Sequence, residues 1–196
     1  MGAMILAVIF KIWKINFSNV RWKAILSYGM ALVGMNALFY LSLERLPLGL
    51  AVAFEFIGPL SVALFHARQR YDFIWVGCAI LGLILLFPLQ QAQQGLDLIG
   101  VLFAVCAGAC WAFYIIAGQK PSGISGNHTV CLGMSIGMLC LLPFAAFSGA
   151  VGHVFELPNL YYFIGLAILA SALPFSLEMI ALRNLTPLSF GTLMSL

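Results

Sequence analysis

Charge is scarce in this chain. Only 8% of its 196 residues are Asp, Glu, Lys or Arg, while 63% are hydrophobic. Soluble domains carry about 25% charged and about 45–50% apolar residues. Water could not solvate the surface of a folded ball of this composition, which excludes an ordinary soluble enzyme and a disordered segment. Nine Lys and Arg against six Asp and Glu leave a net charge of +3, too weak a basic bias for a nucleic-acid partner. Catalytic signatures are also missing: there is no Gly-x-Ser-x-Gly, no phosphate-binding P-loop and no His-Glu-x-x-His. Cys78, Cys106, Cys110, Cys131 and Cys140 all fall within apolar runs. Cys106 and Cys110 share a helix face, but no His or carboxylate accompanies them at metal spacing, so neither a metal nor a cofactor is expected. They read as small buried residues and not as a disulfide framework. His66, His128 and His153 fall at the edges of the apolar runs or between them, where interfacial packing is the expected role.

Long apolar runs are what the chain has instead. A transmembrane helix needs about 20 apolar residues. Six stretches qualify: Ala24–Leu43, Leu48–His66, Phe73–Leu89, Leu98–Gly118, Thr129–Ser148 and Leu160–Leu182. The runs are continuous and do not alternate, which favours helices over a transmembrane barrel. The fold class is therefore an all-α polytopic membrane protein. The connecting segments are short, so neighbours are antiparallel and no soluble domain fits between them. Met1–Ile12 and Leu188–Leu196 are apolar too, but they reach only about 18 Å and about 12 Å as helices, against a hydrocarbon core of about 30 Å. The first has neither the basic start nor the cleavage site of a signal peptide. Both are expected to be pieces of longer helices, so the chain reads as six complete spans plus two partial ones, a fragment of a larger protein.

The scarce basic residues set an orientation. With the Lys11–Lys23 segment in the cytoplasm and sides alternating, every Lys and Arg except Arg45 falls in a cytoplasmic loop. Cytoplasmic loops of membrane proteins carry such an excess. Trp13, Trp22 and Trp75 then lie near the inner interface and Tyr161 and Tyr162 near the outer one, as interfacial aromatic belts do.

An internal similarity is present. Tyr40-Leu-Ser-Leu-Glu-Arg-Leu46 and Met179-Ile-Ala-Leu-Arg-Asn-Leu185 each carry the end of a span into a polar turn, and Pro47 and Pro187 follow. An odd number of spans separates them, so the two copies run in opposite directions. Inverted repeats characterise secondary transporters, whose substrate site lies near the midplane at the repeat interface.

Several strings carry a family resemblance. Leu98–Lys120, with Gly108, Cys110-Trp111-Ala112 and a closing Lys120, resembles the opening helix of an EamA-type repeat of the drug/metabolite transporter superfamily. Gly34-Met-Asn-Ala-Leu-Phe-Tyr40, Ala53-Phe-Glu-Phe-Ile-Gly-Pro59, Gly108-Ala-Cys-Trp111, Ser176-Leu-Glu-Met-Ile-Ala-Leu182 and Phe190-Gly-Thr-Leu-Met194 are similar to the threonine/homoserine-exporting branch of that family. The resemblance covers nearly the whole chain. It implies part of a ten-helix bundle of two inverted five-helix repeats. Residues 1–96 would be the C-terminal part of the first repeat, helices two to five. Residues 97–196 would be the N-terminal part of the second, helices six to nine with the last incomplete. It further implies export of small neutral amino acids from the cytoplasm across a bacterial inner membrane by proton antiport. The partners would be a small amino acid, protons and the lipid bilayer, with a homodimer left open. Two alternatives stay open: a different cargo within the superfamily, and a non-transporting membrane scaffold. An intramembrane enzyme is more distant, because no nucleophile–base pair is visible.

The ionisable residues inside spans are the candidate site. A carboxylate in hydrocarbon costs a few kcal/mol and usually faces a bundle interior or a wet cavity. Glu55 lies about 11 Å from the outer end of its span, with no basic residue near it in sequence. It could hold a substrate ammonium, carry the coupling proton, or do both in turn, and its alternative is a protonated packing residue. Low dielectric penalises the charged form of a carboxyl, so protonation can act as a switch. Glu178 lies about 7 Å along the axis from Arg183, and its alternative is a snorkelling or Arg-paired residue. Asn36 could bond a substrate carboxylate or simply a neighbouring helix. Tyr40, Trp111 and Tyr114 are candidate cavity walls, with ordinary packing as the alternative. Gly58-Pro59 and Pro174 are candidate helix breaks, since proline removes a backbone donor and frees a carbonyl. Gly133-x-x-x-Gly137 and Ala104-x-x-x-Gly108 read as seams for close helix contact.

Overall fold

The computed structural model describes residues 20–67, 70–86, 97–147, 162, 165–186, 189, 190 and 193. The stump Met1–Ile12, Lys11, Lys14, Trp13, Arg68, the 149–158 loop with His153 and Glu156, Tyr161, Pro187 and most of Leu188–Leu196 lie outside these residues, as does the side chain of Trp75.

Every regular element among the described residues is helical. The helices are α1 (Trp22–Leu43), α2 (Leu48–Glu55), α3 (Ile57–His66), α4 (Arg70–Leu86), α5 (Leu98–Gln119) and α6 (Gly126–Phe147), followed by a π-helical segment (Ala167–Ala172) that runs into α7 (Leu173–Asn184). Among the described residues, four stretches are long and apolar enough to cross a membrane: Trp22–Leu43, Leu48–His66, Leu98–Gln119 and Gly126–Pro143. A helix of 22 residues such as α1 or α5 spans about 33 Å, matching the hydrocarbon core. The expected spans beginning at Phe73 and Leu160 are helical where they are described. Residues 87–89 of the first, and 160, 161, 163 and 164 of the second, fall among those that are not.

Local chemistry sets the helix ends. After Leu43 the chain tightens, with Arg45 and Leu46 both donating their N–H groups to the Ser42 carbonyl at 3.0 and 2.8 Å. The Ser42 hydroxyl donates back to the Phe39 carbonyl at 2.7 Å. Pro47 cannot continue the helix, and its extended φ/ψ of −56° and 144° starts α2 instead. α5 begins at an acidic cap. Asp97 Oδ1 accepts the N–H groups of Ile99 and Gly100 at 2.9 and 3.4 Å, which would otherwise be orphaned in the first turn. Its other oxygen pairs with Arg45 at 3.0 Å.

The residues group into two compact units, one of Met1–Val33 with Gly118–Arg183 and one of Gly34–Ala117 with Asn184–Leu196. In the first, α1 crosses α6 at backbone distance. A β-carbon on Gly29 would sit 3.0 Å from the Gly133 carbonyl, and one on Gly133 would meet the ring of Tyr28 at 2.6 Å. Tyr28 is fully buried. Gly137, the second glycine of that seam, packs on Val33. The same unit is tied by Arg183. Its guanidinium donates to Ser122 Oγ at 2.9 Å, Thr129 Oγ1 at 3.1 Å and the Ile124 carbonyl at 3.0 Å. Ser122 and Thr129 are buried and share a 2.7 Å hydrogen bond. In the second unit, Leu46, Leu50, Ala51 and Ala104 form a buried cluster, with Phe39, Leu43, Phe54 and Val101 around it. Outward-facing side chains are apolar as well: Phe65 is 85% exposed and Leu98 79%. Helices with apolar surfaces on all sides belong in lipid.

Two outcomes test this packing. Gly133→Leu should lower stability by about 2 kcal/mol through overpacking against Tyr28, read as a lower thermal midpoint in detergent micelles. Gly77→Ala, where a β-carbon would meet nothing within 4 Å, should leave the midpoint unchanged. The Asp97 carboxyl is held below its usual 3.8, first by the Arg45 hydrogen bond and then by the Ile99 N–H. A depressed carboxyl stabilises the fold above its ordinary value and loses that contribution as pH falls through the lowered one. The stability gap between the natural chain and Asp97→Asn should therefore be present at pH 7 and close as pH drops below 3.8, as thermal melts across that range would show.

Candidate functional site

The span from Leu48 to His66 is not one continuous helix. α2 stops at Glu55, and α3 starts at Ile57. The cause is Pro59. A proline four residues on has no N–H to give the Glu55 carbonyl, so that acceptor is left without its intrahelical partner. Phe56, at φ −63° and ψ −15°, carries the break. Its N–H still reaches Val52 at 3.0 Å, and Leu60 resumes the ladder to Phe56 at 3.2 Å.

α5 covers this break with bare backbone. A β-carbon on Gly108 would lie 2.5 Å from the Glu55 carbonyl oxygen. One on Gly58 would overlap the Gly108 carbonyl. Only glycine at both positions lets the two backbones approach so closely. The crossing fixes what stands beside it. Trp111, about one turn after Gly108, sets its ring on Phe56 with centroids 5.3 Å apart and planes tilted by 45°. Gly34 of α1 lies against Cys110 Sγ.

The side chains at this crossing are polar and unpaired. Glu55 is 8% exposed, and its carboxyl forms no ion pair or hydrogen bond among the described residues. Trp111 Nε1 is buried and lacks an acceptor among them. A buried polar group without a partner costs about 1–3 kcal/mol. This acid and this N–H donor stand on two helices whose backbones touch at Gly58 and Gly108.

Other expected residues take different places. Pro59 and Gly58 are buried at the break. Tyr114, fully buried on α5, and half-buried Asn36 on α1 belong to the same unit as Glu55, and each already has an interaction partner. Tyr40 is 66% exposed, with its ring 6.3 Å from Phe39. Pro174 and Glu178 belong to the other unit. Pro174 is the second residue of α7, directly after the π-helical segment. There the Leu173 N–H reaches back five residues to Ile168, a wide turn of the kind found at functional sites. Glu178, one turn on, is half-buried and has a partner. The Arg183 guanidinium is committed to Ser122, Thr129 and Ile124.

Sequence reasoning did not reach the Arg45–Asp97 pair, the Ser122–Thr129–Arg183 cluster, the unpaired Trp111 N–H or Pro143 inside α6. Asp97 did carry a legible signal, because an Asp directly before an apolar run is an N-cap signature. The others depend on tertiary placement.

Comparison with known proteins extends this picture. Residues 98–196 match the profile of the EamA-like transporter family. Two relatives named threonine/homoserine exporter RhtA, from Escherichia coli strain K12 and Salmonella typhimurium strain LT2, are each 46% identical over 198 residues. Those alignments take in 100% of this chain and 66% of each relative, so the chain spans just under two thirds of their length. No solved structure matches the chain. A family profile over half the chain and identity along all of it agree with the all-helical, lipid-adapted fold: the chain belongs to the EamA-like transporter family.

Proposed function

We propose that this chain is the greater part of a bacterial inner-membrane secondary transporter that exports small neutral amino acids, threonine and homoserine among them, in exchange for protons. The observation that carries the reading is the buried, unpaired Glu55 at the proline break, with the unpaired Trp111 N–H on the helix packed against it. The substrate class is that of the relatives named as threonine/homoserine exporters.

A zwitterion leaving water must have its ammonium matched by a carboxylate and its carboxylate matched by N–H donors. In this proposal the Glu55 carboxylate takes the ammonium, and Trp111 Nε1–H and Asn36 serve the carboxylate. A proton arriving from outside neutralises Glu55 and releases the amino acid there. The proton then leaves Glu55 toward the cytoplasm and restores the binding form. Glu178, on the helix opened by Pro174, is the second candidate carboxyl for proton binding. Tyr40 and Tyr114 are assigned to the walls of the path.

The ten-helix architecture of two inverted repeats belongs to the same proposal, with residues 1–96 in the first repeat and 97–196 in the second. The matching segments Tyr40–Leu46 and Met179–Leu185 support it, because each closes a helix: α1 ends at Leu43 and α7 at Asn184. The basic residues support an orientation with the start of α1 in the cytoplasm.

Glu55→Gln keeps the shape and removes the charge. In proteoliposomes the variant should insert normally yet lose threonine-dependent proton flux by about two orders of magnitude, and undiminished export would refute the role. Trp111→Phe keeps the ring and removes the donor. Losing a hydrogen bond to a charged group is worth about 1.5–3 kcal/mol, so half-saturating threonine should rise about tenfold or more. If an unrelated metabolite competes with labelled threonine better than homoserine does, the cargo assignment fails while the transport reading stands.

A further inference from the structure

The start of α1 carries features that export does not use. Arg21, Trp22 and Lys23 place two cations and an aromatic ring at the head of a 22-residue apolar helix. The Arg21 N–H donates to the Ser122 carbonyl at 2.9 Å, which ties the segment after α5 to this point. Lys120 and Pro121 are thereby brought beside Arg21 and Lys23. Together they line an open pocket of about 650 Å³ whose inner wall reaches Ser27. All the charge in the lining is positive. None of the three cations forms an ion pair or a side-chain hydrogen bond among the described residues. Trp22, also in the lining, is 47% exposed.

We infer that this pocket binds the phosphate of an anionic phospholipid. Three unpaired cations in one pocket call for an anion of more than transient contact. Its position narrows the choice of anion. The pocket opens where the polar segment ends and the apolar helix begins, at headgroup depth. Trp favours that depth. A lipid can satisfy both halves of such a lining, with its phosphate among Arg21, Lys23 and Lys120 and its glycerol and upper acyl carbons against Trp22 and Pro121. Basic pockets between membrane helices bind anionic headgroups in this way. In the orientation proposed above, this end of α1 meets the cytoplasmic leaflet. The site is independent of Glu55. It fixes the depth of α1 and of the segment joined to it through Arg21 and Ser122.

Native mass spectrometry of the detergent-purified protein with phosphatidylglycerol, phosphatidylcholine or inorganic phosphate tests this. Phosphatidylglycerol should be retained well above phosphatidylcholine. Arg21→Gln, Lys23→Gln and Lys120→Gln should each weaken its retention about fivefold, and the triple variant about a hundredfold. The charge-preserving pair Lys23→Arg and Lys120→Arg should retain it, and Arg45→Gln, beyond the opposite end of α1, should change nothing. Equal retention of the two lipids, or unchanged phosphatidylglycerol binding by the triple variant, would overturn the inference. So would full displacement of the lipid by an equal concentration of inorganic phosphate, which would mark a site for soluble anions.

Discussion

Hydrocarbon offers a backbone no hydrogen-bond partners, and this constraint governs the chain. Each N–H and C=O inside the bilayer must be satisfied within its own helix, or else covered by protein or by a water-filled cavity. The described elements obey it by being helical throughout. The informative places are those where the ladder is broken. Pro59 leaves the Glu55 carbonyl without a donor, and the chain answers by laying the Gly108 backbone of α5 directly on it. The wide π turn before Pro174 is a second such adjustment. A break of this kind is tolerated only where something other than lipid lies against it, so its position also marks an interior.

Close backbone contact follows from the same constraint. Lipid is as apolar as a leucine side chain, so burying leucines gives little reason for two helices to associate in a bilayer. Contact must come from close van der Waals fit and from polar ties. The Gly29–Gly133 crossing with Tyr28 filling the gap supplies the first, and Gly58–Gly108 repeats the solution in the other unit. The few charges outside the spans supply the second. Arg45 and Asp97 join the turn after α1 to the cap of α5. Arg183 gathers Ser122, Thr129 and the Ile124 carbonyl.

Legibility in the sequence follows from how local each feature is. The apolar run Leu48–His66 matches the observed span end to end, and the run read as Ala24–Leu43 starts only two residues late. Run length depends on neighbouring residues alone, so hydropathy suffices. The break near Gly58-Pro59 was also legible, because a missing N–H belongs to the proline itself. The partners of Arg183 were not. Reading along α7 offered Glu178 as one alternative, and the guanidinium also reaches residues more than 50 positions away in sequence. The Trp111 N–H was unreadable for a related reason. Whether a donor is satisfied depends on every surface that surrounds it, and no spacing rule encodes that.

The two intramembrane acids differ in burial and pairing, and the proposed function rests on one of them. Glu178 is half-buried and has an interaction partner. Glu55 is buried beside a helix break, with no cation or donor among the described residues. A glutamine there would fill the same volume without the penalty of a charge in low dielectric. Stability alone therefore gives no reason for an acid at this position. In the proposed cycle that penalty is relieved each time a proton or an ammonium group arrives. The residue that costs stability is then also the one that works, and the Gly58–Gly108 crossing covers the break beside it.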